Sequence, residues 1–402
     1  MHEFLNFLET GLLNLSAWQL VLYTLIVVQI TLSGVSLYLH REQTHRGIQM
    51  HPVIQHFYRF WLWFTTGMLT KEWVAIHRKH HAYCETEDDP HSPQIHGIKK
   101  VLFHGVTLYT AERKNTETME KYGKGTPDDW LERNIYTRFH YVGIVLLAFL
   151  NVALFGVIGL LIYAIQMIWI PFFAAGVING IGHFVGYRNY RTDDSSRNIT
   201  RFAFFVFGEE LHNNHHAFPS SSKFAHKKGE HDIGWYVILV LNKLRLCKIK
   251  KVVPDLYVDE GHAEIDGENV KAILTHKFNV LQVYIKDVIK PSLTDEYQNA
   301  SKSFKKKIKK YTHTLSLDPQ FLKTDIKSKF NNYFHDSKSL NTLLEYKAEL
   351  QAIWDNNSKS VEEMVADFKA WCAKAEASGN KMLQDFAVSL QRYKLQAFAP
   401  SL

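Results

Sequence analysis

From Tyr141 to His183 the chain carries no Asp, Glu, Lys or Arg, over roughly twice the length needed to cross a bilayer once. A second charge-free stretch fills residues 17 to 39 (AWQLVLYTLIVVQITLSGVSLYL). Hydrocarbon offers no water to backbone N–H and C=O groups, so such spanning segments must be helical. Gly156 and Gly159 sit near the middle of the longer stretch, which therefore reads as a helical hairpin. The expected fold is all-α and integral to a membrane, with spans at about 17–39, 139–157 and 160–183. Residues 57 to 70 (FYRFWLWFTTGMLT) are too short to span and contain Arg59, which points to an interfacial segment.

The mean hydropathy of −0.19 fits a membrane protein only if apolar spans alternate with a large polar portion. From about Val253 onward, segments around Glu268–Lys290, Asp295–Tyr311, Phe321–Phe334, Ser339–Trp354 and Val361–Ala377 show helix-period apolar residues among charges. Residues 1–252 are read as a membrane domain and 253–402 as a soluble helical tail. Ser360-Val-Glu-Glu363 has the spacing of a capping box. The run Lys305-Lys306-Lys307-Ile308-Lys309-Lys310 reads as a solvated helix face or a contact for acidic lipid or protein.

Charge in the loops gives an orientation. Arg41, Arg46, Arg59, Lys71, Arg78, Lys79, Lys99 and Lys100 follow the first span, and the residues before Ala17 contain neither Lys nor Arg. Region 40–140 is therefore expected on the cytoplasmic side of a cell membrane, and the hairpin returns the residues after 183 to that side. Residues 1–16 read as a short interfacial helix, with no basic region or cleavage site of a removed signal peptide. The net charge of +7 and pI of 9.0 suit anionic headgroups. No zinc-finger spacing, P-loop or basic–aromatic stripe supports nucleic-acid binding. Cys84, Cys247 and Cys372 lie far apart, so neither a disulfide framework nor a thiolate metal site is expected.

Three histidine clusters flank these spans: His40-Arg-Glu-Gln-Thr-His45, His77-Arg-Lys-His80-His81 and His212-Asn-Asn-His215-His216. On an α-helix His77, His80 and His81 leave one face, as do His212, His215 and His216. Two opposed triplets can ligate two metal ions. His40 and His45 lie about 140 degrees apart on a regular α-helix, so they converge only if the helix end unwinds or the metals straddle it. His183 closes the hairpin, and a polar residue at membrane depth is a functional candidate. Asn179, one turn earlier, can ligate through water, orient an imidazole or bond a neighbouring helix. Imidazole suits zinc, copper, iron or nickel, but eight or nine histidines exceed one tetrahedral site and suit a di-iron centre with open positions. Glu42-Gln-Thr-His45 and Glu209-Glu-Leu-His212 also match the E-x-x-H of carboxylate-bridged di-iron bundles, a reading that leaves five histidines unused. Glu209 and Glu210 serve better as acceptors for imidazole N–H groups.

The blocks HREQTH, EWVAIHRKHHAYCETEDDPHSP, NGIGHFVGYRNY and GEELHNNHHAFP, in this order, resemble those of the integral-membrane fatty acid desaturases. The pattern over residues 17–250 looks most like bacterial delta-9 acyl-lipid enzymes. The resemblance implies two irons that activate O2 to remove two hydrogens from a saturated acyl chain, leaving a cis double bond. It assigns His40, His45, His77, His80, His81, His183, His212, His215 and His216 as ligands, and Asn179 as a ligand through water. Trp73 matches a substrate-binding position, whereas Ala75 and Met68 stand where animal acyl-CoA enzymes have CoA-contacting Arg and Asn. A phospholipid-borne chain is therefore expected, with an acyl-CoA desaturase or a histidine-box hydroxylase as the alternatives. A metal transporter would need its ligands along a path at the membrane midplane. No G-x-G-x-x-G, haem-attachment or iron–sulfur spacing is present, so electrons must come from an external donor. The family implies a ferredoxin with its reductase, or a small cytochrome.

Overall fold

The computed structural model describes residues 2–262, 264–292, 338–356 and 358–396. The expected helices at Asp295–Tyr311 and Phe321–Phe334 and the lysine run at 305–310 lie outside these residues. The chain divides into two units, Met1–Arg188 with Asp194–Val253, and Asn189–Asp193 with Pro254–Leu402.

The first unit opens with α1 (His2–Thr10), at the expected interfacial position. Its C-terminal end meets the hairpin turn, where Leu12 and Leu13 N–H donate to Ala153 and Leu154 at 3.0 Å. Next comes α2 (Ala17–Ser33), whose first turn is closed by Gln19 Oε1 accepting the Ser16 N–H at 2.9 Å. Without a break α2 widens into a π-helical segment, Gly34–Thr44. The whole stretch, Ala17–Thr44, is long and apolar enough to cross a membrane. The pair β1 (Ile48–Met50) and β4 (Cys247–Ile249) runs antiparallel, with Ile48 opposite Ile249.

Helices α3 (Pro52–Thr66) and α4 (Thr70–Tyr83) follow, separated by Gly67 at φ +65°. Arg59 does not meet lipid: its side chain is buried and forks onto Asp129 at 2.6 and 2.7 Å and Glu132 at 2.9 Å. Short helices α5 (Pro93–His96) and α7 (Thr116–Tyr122) flank the longer α6 (Ile98–Glu112). The hairpin is α8 (Val142–Phe155) and α9 (Ile158–Ile170), the latter continuing as a second π segment, Pro171–Ile181. Ile158–Ile181 is the second stretch long and apolar enough to cross. By contrast α8 has 14 residues, or about 21 Å, shorter than the 139–157 expected and than a hydrocarbon core of about 30 Å. Gly156, at φ +68°, ends it.

Helix α10 (His212–Ala217) and α11 (Ile233–Lys243) complete the unit, with β2 (Phe202–Ala203) parallel to β3 (His231–Asp232). Arg41, fully buried at the end of the first span, ties these parts together. Its guanidinium donates to Asp232 at 2.9 and 3.1 Å and to the carbonyls of Ser222 and Phe207 at 2.8 and 2.9 Å. It also lies 3.9 Å over the Phe224 ring. Asp232 in turn accepts the Trp235 N–H at 2.9 Å, capping α11.

The second unit is mostly helical, as expected: α12 (Gly267–Thr275), α13 (Lys277–Tyr284), α14 (Lys338–Asp355), α15 (Val361–Glu376) and α16 (Lys381–Gln391). Tyr284, Leu350, Phe368, Trp371 and Phe386 fill its core. The capping box forms, with Ser360 N–H to Glu363 at 2.7 Å and Glu363 N–H to Ser360 Oγ at 3.2 Å. A strand pair that helical periodicity does not announce, β5 (Asp255–Val258) against β6 (Tyr393–Gln396), joins the two ends of the unit.

Asp232→Ala leaves the Arg41 charge buried without its partner, which is expected to cost about 3–5 kcal/mol. The unfolding temperature of the detergent-solubilised protein checks this, and should fall well below that of a conservative surface variant such as Lys228→Arg.

Candidate metal centre

All nine histidines come together inside the first unit. Helix α4 supplies His77, His80 and His81 from one face, and α10 supplies His212, His215 and His216 from one face. His40 and His45 converge by a route other than unwinding. At the end of the π segment the His45 N–H bonds the His40 carbonyl at 3.1 Å, and this wider winding turns both positions toward one side, with the two rings 4.9 Å apart. Arg78 on α4 caps this segment through the carbonyls of Gln43 and Thr44 at 2.7 and 3.3 Å.

Two groups of donor atoms result. His40, His45, His77, His81 and His215 place one nitrogen each within 4.8 Å of one another, and His80, His183, His216 and Cys84 form a second group of the same tightness. His212 joins the second group through Nε2 at 2.9 Å from His183 Nε2, with its ring 4.5 Å from that of His216. Asn179 is half-buried and lines the cavity beside His212. Cys84, which its isolation in sequence had set aside, has Sγ 3.8 Å from His80 Nε2. His91 was also missed: it stacks on His80 at 4.4 Å, and with Asp89 and His80 forms a third group.

The imidazoles are aimed by carboxylates. Nδ1 of His40 lies 2.7 Å from Glu209, of His80 3.0 Å from Asp89, of His183 3.0 Å from Glu85, and of His216 2.8 Å from Asp194. Each carboxylate accepts the Nδ1 proton and leaves the Nε2 lone pair facing inward. Ser195 donates to Glu85, and Gln94 holds both Ser195 Oγ at 3.2 Å and the His183 carbonyl at 3.1 Å. Glu210 is not an imidazole acceptor, because it takes the N–H groups of Phe205 and Val206 at 2.8 and 2.9 Å. Glu42 accepts from Met50 and Gln55, away from the histidines, which removes the E-x-x-H reading. Glu85 and Asp89 sit in the acidic run directly after the second cluster, a signal available in the sequence.

Burial holds His77, His81, His212 and His215 well below the ordinary imidazole range, and neighbouring imidazoles push the same way. Burial brings His216 down to about 4 despite Asp194 beside it. These rings are neutral at physiological pH, the form that ligates metal. The pairwise contacts, His40 to His215 at 3.0 Å and His215 to His81 at 2.9 Å, set nitrogen against nitrogen. His45 Nε2 and His216 Nε2 are buried without a hydrogen-bond partner. A donor set of converging nitrogen lone pairs fits a cation. Cys84 differs, because burial and then nearby carboxylates raise its thiol well above the ordinary range and keep it protonated.

One wall of this centre belongs to a cavity of about 290 Å³. His40, His77, His91, His212, Glu209 and Trp73 line it, and Trp73 is stacked on His77 at 4.9 Å. Ile76, Val101, Ile170, Ala174, Ala175 and Ile178 make its apolar sides. The narrow crossing of α6 over the second π segment shapes it, since a Cβ on Gly176 would come within 2.5 Å of the Leu102 carbonyl. Tyr109, Arg113 and Tyr141 add polar groups to the wall, and Arg113 is drawn to Glu72 at 3.7 Å. Met68 lines the cavity, while Ala75 is buried and not among its lining residues.

Comparison with known proteins agrees with this geometry. Residues 16–232 match the family model for fatty acid desaturases. The delta-9 acyl-lipid desaturase 1 of Arabidopsis thaliana is 29% identical over 241 residues, 57% of this chain and 74% of that protein. The acyl-CoA 5-desaturase AL21 of Anemone leveillei is 30% identical over 234 residues, 56% of this chain and 69% of that protein. These relatives are plant proteins, whereas the sequence blocks had suggested bacterial ones. A transposase family model matches residues 272–399, about a third of the chain, in the second unit. With more than half its length matched and histidine clusters able to hold metal, the chain belongs to the fatty acid desaturase family and is a fatty acyl desaturase, an oxidoreductase.

Proposed function

We propose that this chain uses two irons and O2 to introduce a cis double bond at the delta-9 position of saturated acyl chains borne on membrane phospholipids. The observation that carries this reading is the shared wall: donor nitrogens for metal and an apolar lining meet in one cavity. His40, His45, His77, His81 and His215 would hold one iron. His80, His183, His212 and His216 would hold the other, with Asn179 reaching it through water. Bound iron would supply, with O2, two external electrons and two protons, the oxidising power to break two unactivated C–H bonds, with two waters as the other products. No acid–base or nucleophilic group can do this to a methylene.

The protein's own part is positioning. Glu85, Asp89, Asp194 and Glu209 fix the tautomers of His183, His80, His216 and His40. The apolar sides of the cavity exclude water and hold an extended chain against Trp73. Met68, on the cavity wall, offers no charge to a CoA phosphate, which favours the phospholipid carrier. The site is read as facing the cytoplasm of a bacterial inner membrane crossed more than once, where a ferredoxin with its reductase or a small cytochrome delivers electrons.

Expression in a strain lacking its own desaturase should give phospholipid acyl chains with a new C9 alkene, located by gas chromatography–mass spectrometry after analysis by lipid class. Hydroxy-acyl products, or activity confined to acyl-CoA, would overturn the reading. Purified protein should contain two irons per chain. His80→Ala and His215→Ala should each lose iron and all product while still inserting. Asp194→Asn should lower metal affinity about 10–100-fold in a chelator competition. Ala175→Phe, narrowing the cavity, should keep its iron but lose conversion of long chains in favour of shorter ones.

A further inference from the structure

Helix α11 and the loop that precedes α10 carry an apolar surface that the metal site does not use. Phe202, Phe204 and Phe205 are 58, 42 and 73% exposed, and Tyr236 and Val240 on one face of α11 are 41 and 58% exposed. Exposed phenylalanines this dense are not scattered surface residues, and they need a cover. Three observations say what the cover is. Gln29, near the middle of the Ala17–Thr44 span, donates its side-chain N–H to the Phe205 carbonyl at 3.3 Å. Leu25, Ile26 and Ile30 of the span face Val237 across a groove of about 370 Å³. The outer face of the span is itself bare, with Leu22 48% and Leu25 44% exposed. The patch is therefore continuous with the lipid-facing side of a spanning helix and lies at its depth. Helix α11 has 11 residues, about 16 Å, and cannot cross. Lys243 and Arg245 follow its apolar face, where a headgroup layer would meet them.

We propose that α11 and Phe202–Phe205 form a half-inserted foot, whose occupant is the acyl chains of the same leaflet that supplies the substrate. The proposal rests on the reading of Ala17–Thr44 as a membrane span. The foot has a direct line to the metal centre. The Phe205 and Val206 N–H groups bind Glu210, and Glu209, next to it, holds His40. His212 follows two residues later. Lipid against the phenylalanines thus fixes the depth at which the third histidine cluster is held.

The test is photo-crosslinking of the full chain in nanodiscs of a monounsaturated phosphatidylcholine. A benzophenone side chain is placed singly at Phe205, Val240, Leu22 or Lys124, and products are read by intact-protein mass spectrometry. Lipid adducts at Phe205 and Val240 comparable to those at Leu22, and on the order of tenfold above Lys124, are expected for an interfacial helix. Adducts at Leu22 with none at Phe205 or Val240 would overturn the foot and leave the span standing. No adduct at Leu22 would overturn the membrane reading itself, and the foot with it. Crosslinking of Phe205 to a second protein chain in place of lipid would also overturn the proposal.

Discussion

Taking nine imidazoles out of water and into one buried cluster is the constraint on which the rest of the first unit depends. A neutral imidazole has one donor and one acceptor, and neither can be left unmet in a dry interior without cost. Four buried carboxylates accept the donors of His40, His80, His183 and His216, which leaves lone pairs pointing at one another. Converging lone pairs repel unless a cation lies between them. The backbone around the site is arranged to supply those carboxylates: Asp89 and Glu85 from the turn after α4, Asp194 from the loop after the second span, and Glu209 just before α10.

The same need explains the unusual ends of the two spanning stretches. An α-helix directs residues five apart to different sides, yet His40 and His45 must face one ion. Wider winding over Gly34–Thr44 brings them onto one side without giving up backbone hydrogen bonds. Thr44 adds a bond from its hydroxyl to the Leu39 carbonyl at 2.8 Å. Arg41 then anchors this segment to the loop before α11, so the first and third histidine clusters share one rigid frame.

Much of this was legible in sequence, for physical reasons that differ by element. Charge-free runs report hydrocarbon burial residue by residue, so both spanning stretches were visible, and i, i+3, i+4 spacing made the two triplets visible. Glu209 could be named as a partner of a histidine because it adjoins one. Asp194 and His91 could not, because their roles depend on which distant segment folds against them. Cys84 fell inside the cluster only through the turn that ends α4. Arg59 read as the sign of an interfacial segment, but its side chain is buried and Asp129 and Glu132, some seventy residues on, neutralise it. The shortness of α8 and the strand pair β5–β6 likewise turn on tertiary contacts that no local period encodes.

The wide winding at the end of the first span separates two properties that an ordinary helix would tie together. The stretch able to cross a membrane begins at Ala17 and runs on through the π segment, while the register of His45 against His40 is set by the winding of that segment alone. Ordinary α-winding over Gly34–Thr44 at the same residue count would leave the apolar stretch intact, but it would turn His45 away from His40. For anyone grafting spans between members of this family, the winding from the span to its first histidines is therefore the property to preserve, ahead of hydropathy.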